Sequence, residues 1–273
     1  MMRRYDACVS QVVVVPTYQE ADNIDRLLRA IRAECPDLDV LVADDNSPDG
    51  TGKIAEEVAQ ELGRIEVLHR PGKAGLGAAY RHGFRHALDQ GYDVVVQMDA
   101  DFSHDPAVLP VLLAALADGA DVAVGSRYVP GGSVPNWTWM RRMLSRWGNT
   151  YARVMLRLRM QDATTAFRAY RATVLERIDI DGTTANGYLF QIETAFRLSA
   201  AGVTVAEVPI TFVDRVAGDS KMAVVRTMVE TELRVTWWGL TLRAPGVTRR
   251  VRSTGPGRYA ESLIRPTGLP RGQ

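Results

Sequence analysis

Short valine-rich apolar runs alternate with stretches of helical periodicity through the first half of the chain. The runs at 11–15, 40–43, 65–69, 93–98 and 121–125 are rich in β-branched residues and are read as strands. Between them, 20–34, 51–62, 75–89 and 106–117 carry apolar residues at the spacing of amphipathic helices. Strands alternating with helices of this length predict an α/β fold: a mostly parallel, Rossmann-like sheet with helices on both faces. In such sheets ligands lie beyond the carboxyl ends of the strands. Three polar motifs fall there: Pro16-Thr17-Tyr18-Gln19-Glu20, Asp44 to Gly50, and Asp99-Ala100-Asp101.

The second half changes character. Gly131, Gly132 and Pro135 mark a loop, and an arginine-rich helical stretch follows to about residue 160. Residues 203–214 read as two short strands broken at Pro209, and 222–242 return to helical spacing. After Ala244 and Pro245 the Gly, Pro, Arg and Ser content predicts a disordered tail. The division expected is a catalytic domain over 1–221, an amphipathic interfacial helix over 222–243 and a basic tail over 244–273.

A chain of 273 residues can bury one sizeable core, and its 33 basic residues against 32 acidic ones give no reason to expect a nucleic-acid partner. The distribution of charge says more. Residues 137–160 hold six arginines and no carboxylate, residues 222–273 hold nine arginines against three glutamates, and all five tryptophans lie in those two stretches. Basic charge beside tryptophan suits an anionic membrane surface. No stretch approaches the ~20 apolar residues that span a bilayer, and 12–15 is too short for a secretory leader. Two cysteines form neither a disulfide framework nor a metal-ligand spacing. The expectation is a cytoplasmic protein, peripheral on the cytoplasmic face of a membrane.

Asp99 and Asp101 are spaced i, i+2 where a buried strand opens into a loop, so both can aim at one hard divalent cation of the kind that shares oxygen ligands with a phosphate. The competing reading is a strand end before a helix, since Asp105-Pro106 is itself an N-cap with proline in the first turn. One carboxylate of Asp44-Asp45 suits hydrogen bonds from a base or ribose, while an Asx turn through Gly50 competes for the same residues. Gly75-Leu76-Gly77 permits close backbone approach beside Lys73, but Tyr80 replaces the third glycine of a dinucleotide fingerprint. Arg127, at the end of the fifth run, suits a bidentate grip on phosphate. Arg215 and Lys221 flank a glycine-containing loop and could close on a diphosphate. His104 is better suited to shaping its loop than to general-base work. The paired Trp237 and Trp238, beside basic residues, favour an interfacial position over a core one.

Taken together, VVVVPTYQE, DDNSPDGT, GLGAAY, MDADFSH, GSRY, FRAY, GYLFQIE and EVPITFVDRVAGDSK, in this order over about 12–221, resemble the dolichyl-phosphate or polyprenyl-phosphate mannose synthases of glycosyltransferase family 2. The resemblance implies a GT-A fold and inverting transfer of mannose from GDP-mannose to a polyprenyl phosphate, assisted by Mg2+ or Mn2+. It implies that Pro16, Tyr18, Glu20, Ala43 and Asp45 bind guanosine, that Asp99, Ala100 and Asp101 meet metal and diphosphate, and that Arg127, Arg215 and Lys221 contact the donor. Asp101 and Arg127 carry the chemistry on this reading, and Arg141 and Ser145 hold the acceptor phosphate. Ser103 stands where some relatives have a glutamine metal ligand, and a serine coordinates more weakly or through water. In 162–168 the glycine that usually precedes the aromatic residue is missing. Some members of the family depend on a separate membrane-anchored partner. A UDP-glucose-dependent glucosyltransferase and an inactive membrane-recruiting domain are the alternatives.

Overall fold

The computed structural model describes residues 9–213 and 231–240. Five strands read from the sequence are present as β1 (Gln11–Thr17), β2 (Asp39–Asp44), β3 (Ile65–His69), β4 (Val94–Gln97) and β5 (Val122–Ser126). The helices between them are α1 (Ala21–Glu34), α2 (Thr51–Leu62), α3 (Leu76–Asp89) and α4 (Leu109–Ala117). Asp105 accepts the Ala107 N–H at 3.0 Å and so caps a 3-10 turn that leads into α4, as the Asp-Pro pair predicted.

Two further strands complete the sheet: β6 (Arg168–Arg171) and β7 (Val205–Pro209). The strand order is β3-β2-β1-β4-β6-β5-β7. All pairs are parallel except those of β6, which runs against both β4 and β5. The chain winds outward from β1 to β3 and then restarts at β4 on the other side of β1, which opens a crevice beyond the carboxyl ends of those strands.

The period-2 alternation of the strands sorts the core into two layers. Val12, Val14 and Val95 join Tyr80 and Phe84 of α3 on one face, and Val13, Val15 and Val96 join Ile24, Leu27, Leu28 and Ile31 of α1 on the other. The first layer also takes in Ala152 and Leu156 of α5 (Trp139–Leu156) and Phe190 and Phe196 of α7 (Tyr188–Ala201).

Two sequence expectations change here, and a strand and a helix appear that the sequence reading did not place. Among the described residues, 203–213 hold one strand, β7, followed by a single bridge from Thr211 to Ser133, rather than two strands. The added elements, β6 and the short α6 (Ala172–Arg177), carry no apolar run; Arg168 is fully buried within β6 because the Ala163 and Gln191 carbonyls accept its N–H groups at 2.8 and 3.2 Å. The second change is that in the helix over 231–240 the tryptophan pair is split. Trp238 is 1% exposed and stacks at 6.3 Å on Phe196, whereas Trp237 is 40% exposed. Consecutive helical positions point about 100° apart, so only Trp237 is left for an interface. The tail over 244–273 and most of 222–243 lie outside the described residues. Among those residues, no helix is long and apolar enough to cross a membrane.

Candidate active site

The rim of the crevice is built from the loops after β1, β2, β4 and β5. Pro16 pairs with Ala43 and Thr17 with Asp44, so the carboxyl ends of β1 and β2 lie side by side and buried. Of the two adjacent carboxylates, Asp44 takes the turn role foreseen for the pair. Asp44 holds the turn: it accepts from Thr17 Oγ1 at 2.9 Å, from Ser47 Oγ at 2.6 Å and from the Ser47 N–H at 3.0 Å. Asp45 is instead paired with Arg70, and both side chains are under 10% exposed. Tyr18 lies under Lys73, whose Nζ is 4.0 Å from the ring centroid. Glu20 opens α1, its N–H donating to Thr51 Oγ1 at 2.9 Å and its carboxylate accepting from Asn23 at 2.8 Å.

Asp99, Ala100 and Asp101 follow β4. Tyr80 of α3 donates its hydroxyl to Asp99 Oδ1 at 2.5 Å, and the Ser103 N–H donates to Asp101 Oδ1 at 3.0 Å. Burial, then the Asp99 charge, pushes the Tyr80 phenol well above its ordinary range, so it remains a donor. The backbone then turns through Phe102 at φ 58°, a left-handed position that reverses the chain at once. Ser103 is 2% exposed and His104 1%. His104 accepts the Asp99 N–H at Nδ1, 3.2 Å away, and stacks at 4.9 Å on Phe167. Burial lowers its pKa against the pull of the two carboxylates. It shapes the loop, as expected. Among the described residues no group of three or more His, Cys, Asp or Glu converges on a point. Two carboxylates with a serine beside them fit a hard cation that completes its shell with phosphate and water oxygens.

Arg127, after β5, sits differently from a solvent-facing phosphate clamp. Its Nε and Nη2 donate to the two oxygens of Asp162 at 2.7 and 2.8 Å, its backbone N–H to the same carboxylate at 3.1 Å, and Nη2 also to Thr164 at 2.6 Å. The pair is buried. Burial alone would weaken the charge on each partner, but their attraction outweighs it: Asp162 is held below the usual carboxylate range and Arg127 above the usual guanidinium value. Nη1 has no protein partner among the described residues. The same guanidinium lies 5.7 Å from the Trp137 ring centroid, and Arg141 lies 4.4 Å from it, so two cations flank one indole. Ser145 exchanges a 2.6 Å hydrogen bond with the Tyr128 hydroxyl. The fold therefore brings Arg127, Arg141 and Ser145 to one place. Arg215 and Lys221 lie outside the described residues.

Residues 12–179 match the glycosyl transferase family 2 model, a span that holds every described candidate residue above. The chain belongs to glycosyl transferase family 2. It is 47% identical over 242 residues to polyprenol monophosphomannose synthase of Mycolicibacterium smegmatis, covering 87% of this chain and 91% of that one. It is also 47% identical over 240 residues to undecaprenyl-phosphate mannosyltransferase of Micrococcus luteus, covering 88% and 98%. Among solved structures it resembles the mannosyltransferase PcManGT of Pyrobaculum calidifontis, in complex with GDP-Man and Mn2+, at TM-score 0.59 and 18% identity, over 96% of this chain and 77% of that one. The architecture of this family 2 chain is thus the GT-A fold.

Several site residues of this glycosyltransferase were not singled out by sequence reasoning. Arg70 gave no signal beyond being a cation after a strand. Asp162 did: it is the first carboxylate after an arginine-rich stretch, which is where a buried arginine would find its counter-ion. The glycines of 75–77 serve the chain's own packing, since a Cβ on Gly77 would lie 2.4 Å from the Ala185 carbonyl oxygen.

Proposed function

We propose that this protein transfers mannose from GDP-mannose to a polyprenyl monophosphate, with inversion at the anomeric carbon. The observation that carries the reading is that His104, at the end of the Asp99-Ala100-Asp101 loop, and Arg127 lie against the same Phe212 ring, at 6.0 and 5.3 Å, while Arg127 and Arg141 flank Trp137 and Ser145 bonds the adjacent Tyr128. The relatives at 47% identity, whose names specify mannosyl transfer to a polyprenyl phosphate, support the same acceptor and sugar.

The nucleophile is a phosphate oxygen of the lipid. A phosphate monoester has a second pKa of about 6, so it arrives largely ionised and needs no general base. The engagement of His104 Nδ1 with the backbone accords with that. Charge and position are what the chain must supply. Arg127 offers Nη1 from a guanidinium already oriented by Asp162, while Arg141 and Ser145 receive the remaining acceptor oxygens. Arg215 and Lys221 are assigned to the donor diphosphate. Pro16, Tyr18, Glu20, Ala43 and Asp45 form the guanosine subsite, with Arg70 fixing the Asp45 carboxylate. Asp99 and Asp101, with Ser103 beside them, would hold Mg2+ or Mn2+, which when bound neutralises charge on the departing diphosphate.

The lipid reaches this rim from a membrane surface. On α5, Trp139, Met140, Met143 and Trp147 are each more than half exposed and alternate with Arg141, Arg142 and Arg146. An apolar, cationic face of this kind suits peripheral binding to anionic lipid.

The test is transfer of radiolabel from a panel of nucleotide sugars to a short polyprenyl phosphate by the full chain. Label from GDP-mannose should enter the lipid extract. Label from UDP-glucose instead, or none from any donor, would overturn the proposal. Arg141→Ala should raise KM for the lipid phosphate about tenfold, the scale of one lost charge-assisted hydrogen bond, and leave KM for GDP-mannose nearly unchanged. Equal losses for both substrates in steady-state assays would remove Arg141 from the acceptor site.

A further inference from the structure

The GLGAAY and GYLFQIE motifs supply no ligand-facing group in the mechanism above, yet the first reaches the metal-site loop through Tyr80 and the second packs on that tyrosine through Phe190. We propose that Tyr80 is a positioning residue for Asp99, its hydroxyl fixing the carboxylate in the orientation that holds the divalent cation. The inference rests on the reading of Asp99 and Asp101 as the cation site.

Tyr80 is fully buried and reaches Asp99 Oδ1 at 2.5 Å from α3. Its ring is fixed by Phe190, stacked at 6.0 Å and 5° from parallel, and by Phe84 at 5.6 Å. The helix that carries it is fixed in turn. The Ala78 N–H donates to Asn186 Oδ1 at 3.2 Å, and Arg81 donates to the Ala185 carbonyl at 3.0 Å. The 184–185 backbone is held by Glu193, whose Oε2 accepts both N–H groups at 3.1 and 3.0 Å, and Glu193 is paired with the buried Arg197 at 3.0 Å. This chain of contacts leads from α7 through the tip of α3 to one oxygen of Asp99. A carboxylate that ligates a cation keeps its orientation only if a partner restrains it, and removing such partners commonly weakens metal binding 10- to 100-fold, by about the same logic as for metal-ligating imidazoles.

Mn2+ binding in the presence of GDP, followed by electron paramagnetic resonance and calorimetry, distinguishes the alternatives. Tyr80→Phe keeps the ring contacts and removes only the hydroxyl; its Mn2+ dissociation constant should rise about tenfold, and transfer should recover as Mn2+ is raised to saturation. Tyr170→Phe is the control: it deletes another buried hydroxyl, 2.8 Å from Gln97 Oε1, and should leave Mn2+ affinity unchanged. An unchanged Mn2+ affinity in Tyr80→Phe, or an equal loss in both variants, would overturn the proposal. Should Tyr80→Phe fail to fold, 3-fluorotyrosine at position 80 retains ring and hydroxyl while changing the donor strength, and an unaltered affinity there would also overturn it. Failure of the parent protein to bind Mn2+ would overturn the cation reading itself.

Discussion

Asp101→Ala should lower mannosyl transfer by about three orders of magnitude, the scale seen when a principal electrostatic element is removed from a reacting centre. The fold should survive. Asp101 is only half-buried, and the hydrogen bond it accepts from the Ser103 N–H is worth about 1 kcal/mol. Steady-state transfer from GDP-mannose, set beside a urea unfolding curve of the same preparation, separates the two effects. Unchanged turnover in a folded variant would remove the assigned site. A loss confined to KM for the donor, with kcat intact, would place Asp101 in uniform substrate binding rather than in stabilising the departing charge.

Asp162→Ala should produce the largest loss of stability, about 3–5 kcal/mol, because it leaves the Arg127 guanidinium buried without its counter-ion. Arg127 is 6% exposed and Asp162 0%, so little water can replace the lost partner. The pH profile gives the sign a second check. Asp162 titrates below its unfolded value in the folded state because the Arg127 charge and hydrogen bonds outweigh burial. Its contribution is therefore complete above the unfolded carboxyl value of about 3.9 and is lost as pH falls through the lower folded value. Urea midpoints measured from pH 7 down into the acid range should show a constant gap between parent and variant that narrows only in strong acid. A gap below about 1 kcal/mol at pH 7 would show that the pair is not the anchor of this rim.

The half of the sheet from β1 to β4 was largely legible in the sequence. Valine runs at 12–15 and 94–96 sit in strands buried on both faces, so composition alone marked them, and the polar motifs that end those strands lie at the rim where an open parallel sheet places ligands. What escaped was the remainder of the sheet and its covering helices. Arg168 and Tyr170 give β6 a polar signature because their buried polar atoms are met by carbonyls and by Gln97 rather than by water. Residues 190–198 of α7 are buried on every side, which erases the amphipathic period by which a helix is recognised. At the site, the type of residue was readable but its partner was not. Arg127 announced a cation at a strand end; that its fork closes on Asp162 depends on a contact across 35 positions that no local pattern encodes. Trp238 likewise shares its neighbourhood in sequence with Trp237 but its environment with Phe196.

The reversed direction of β6 has an architectural outcome. Because β5 and β6 are antiparallel neighbours, the segment between them, 127–167, leaves and rejoins the sheet at the same end of two adjacent strands. It is an excursion anchored at both feet, and its closing tie is the Arg127–Asp162 pair near its two ends. Such a segment can lengthen, shorten or exchange its surface without shifting any strand's register. The strands β1 to β4 can thus stay fixed while this detour is remodelled, and on the proposed function that would separate the choice of who receives the sugar from the choice of who gives it.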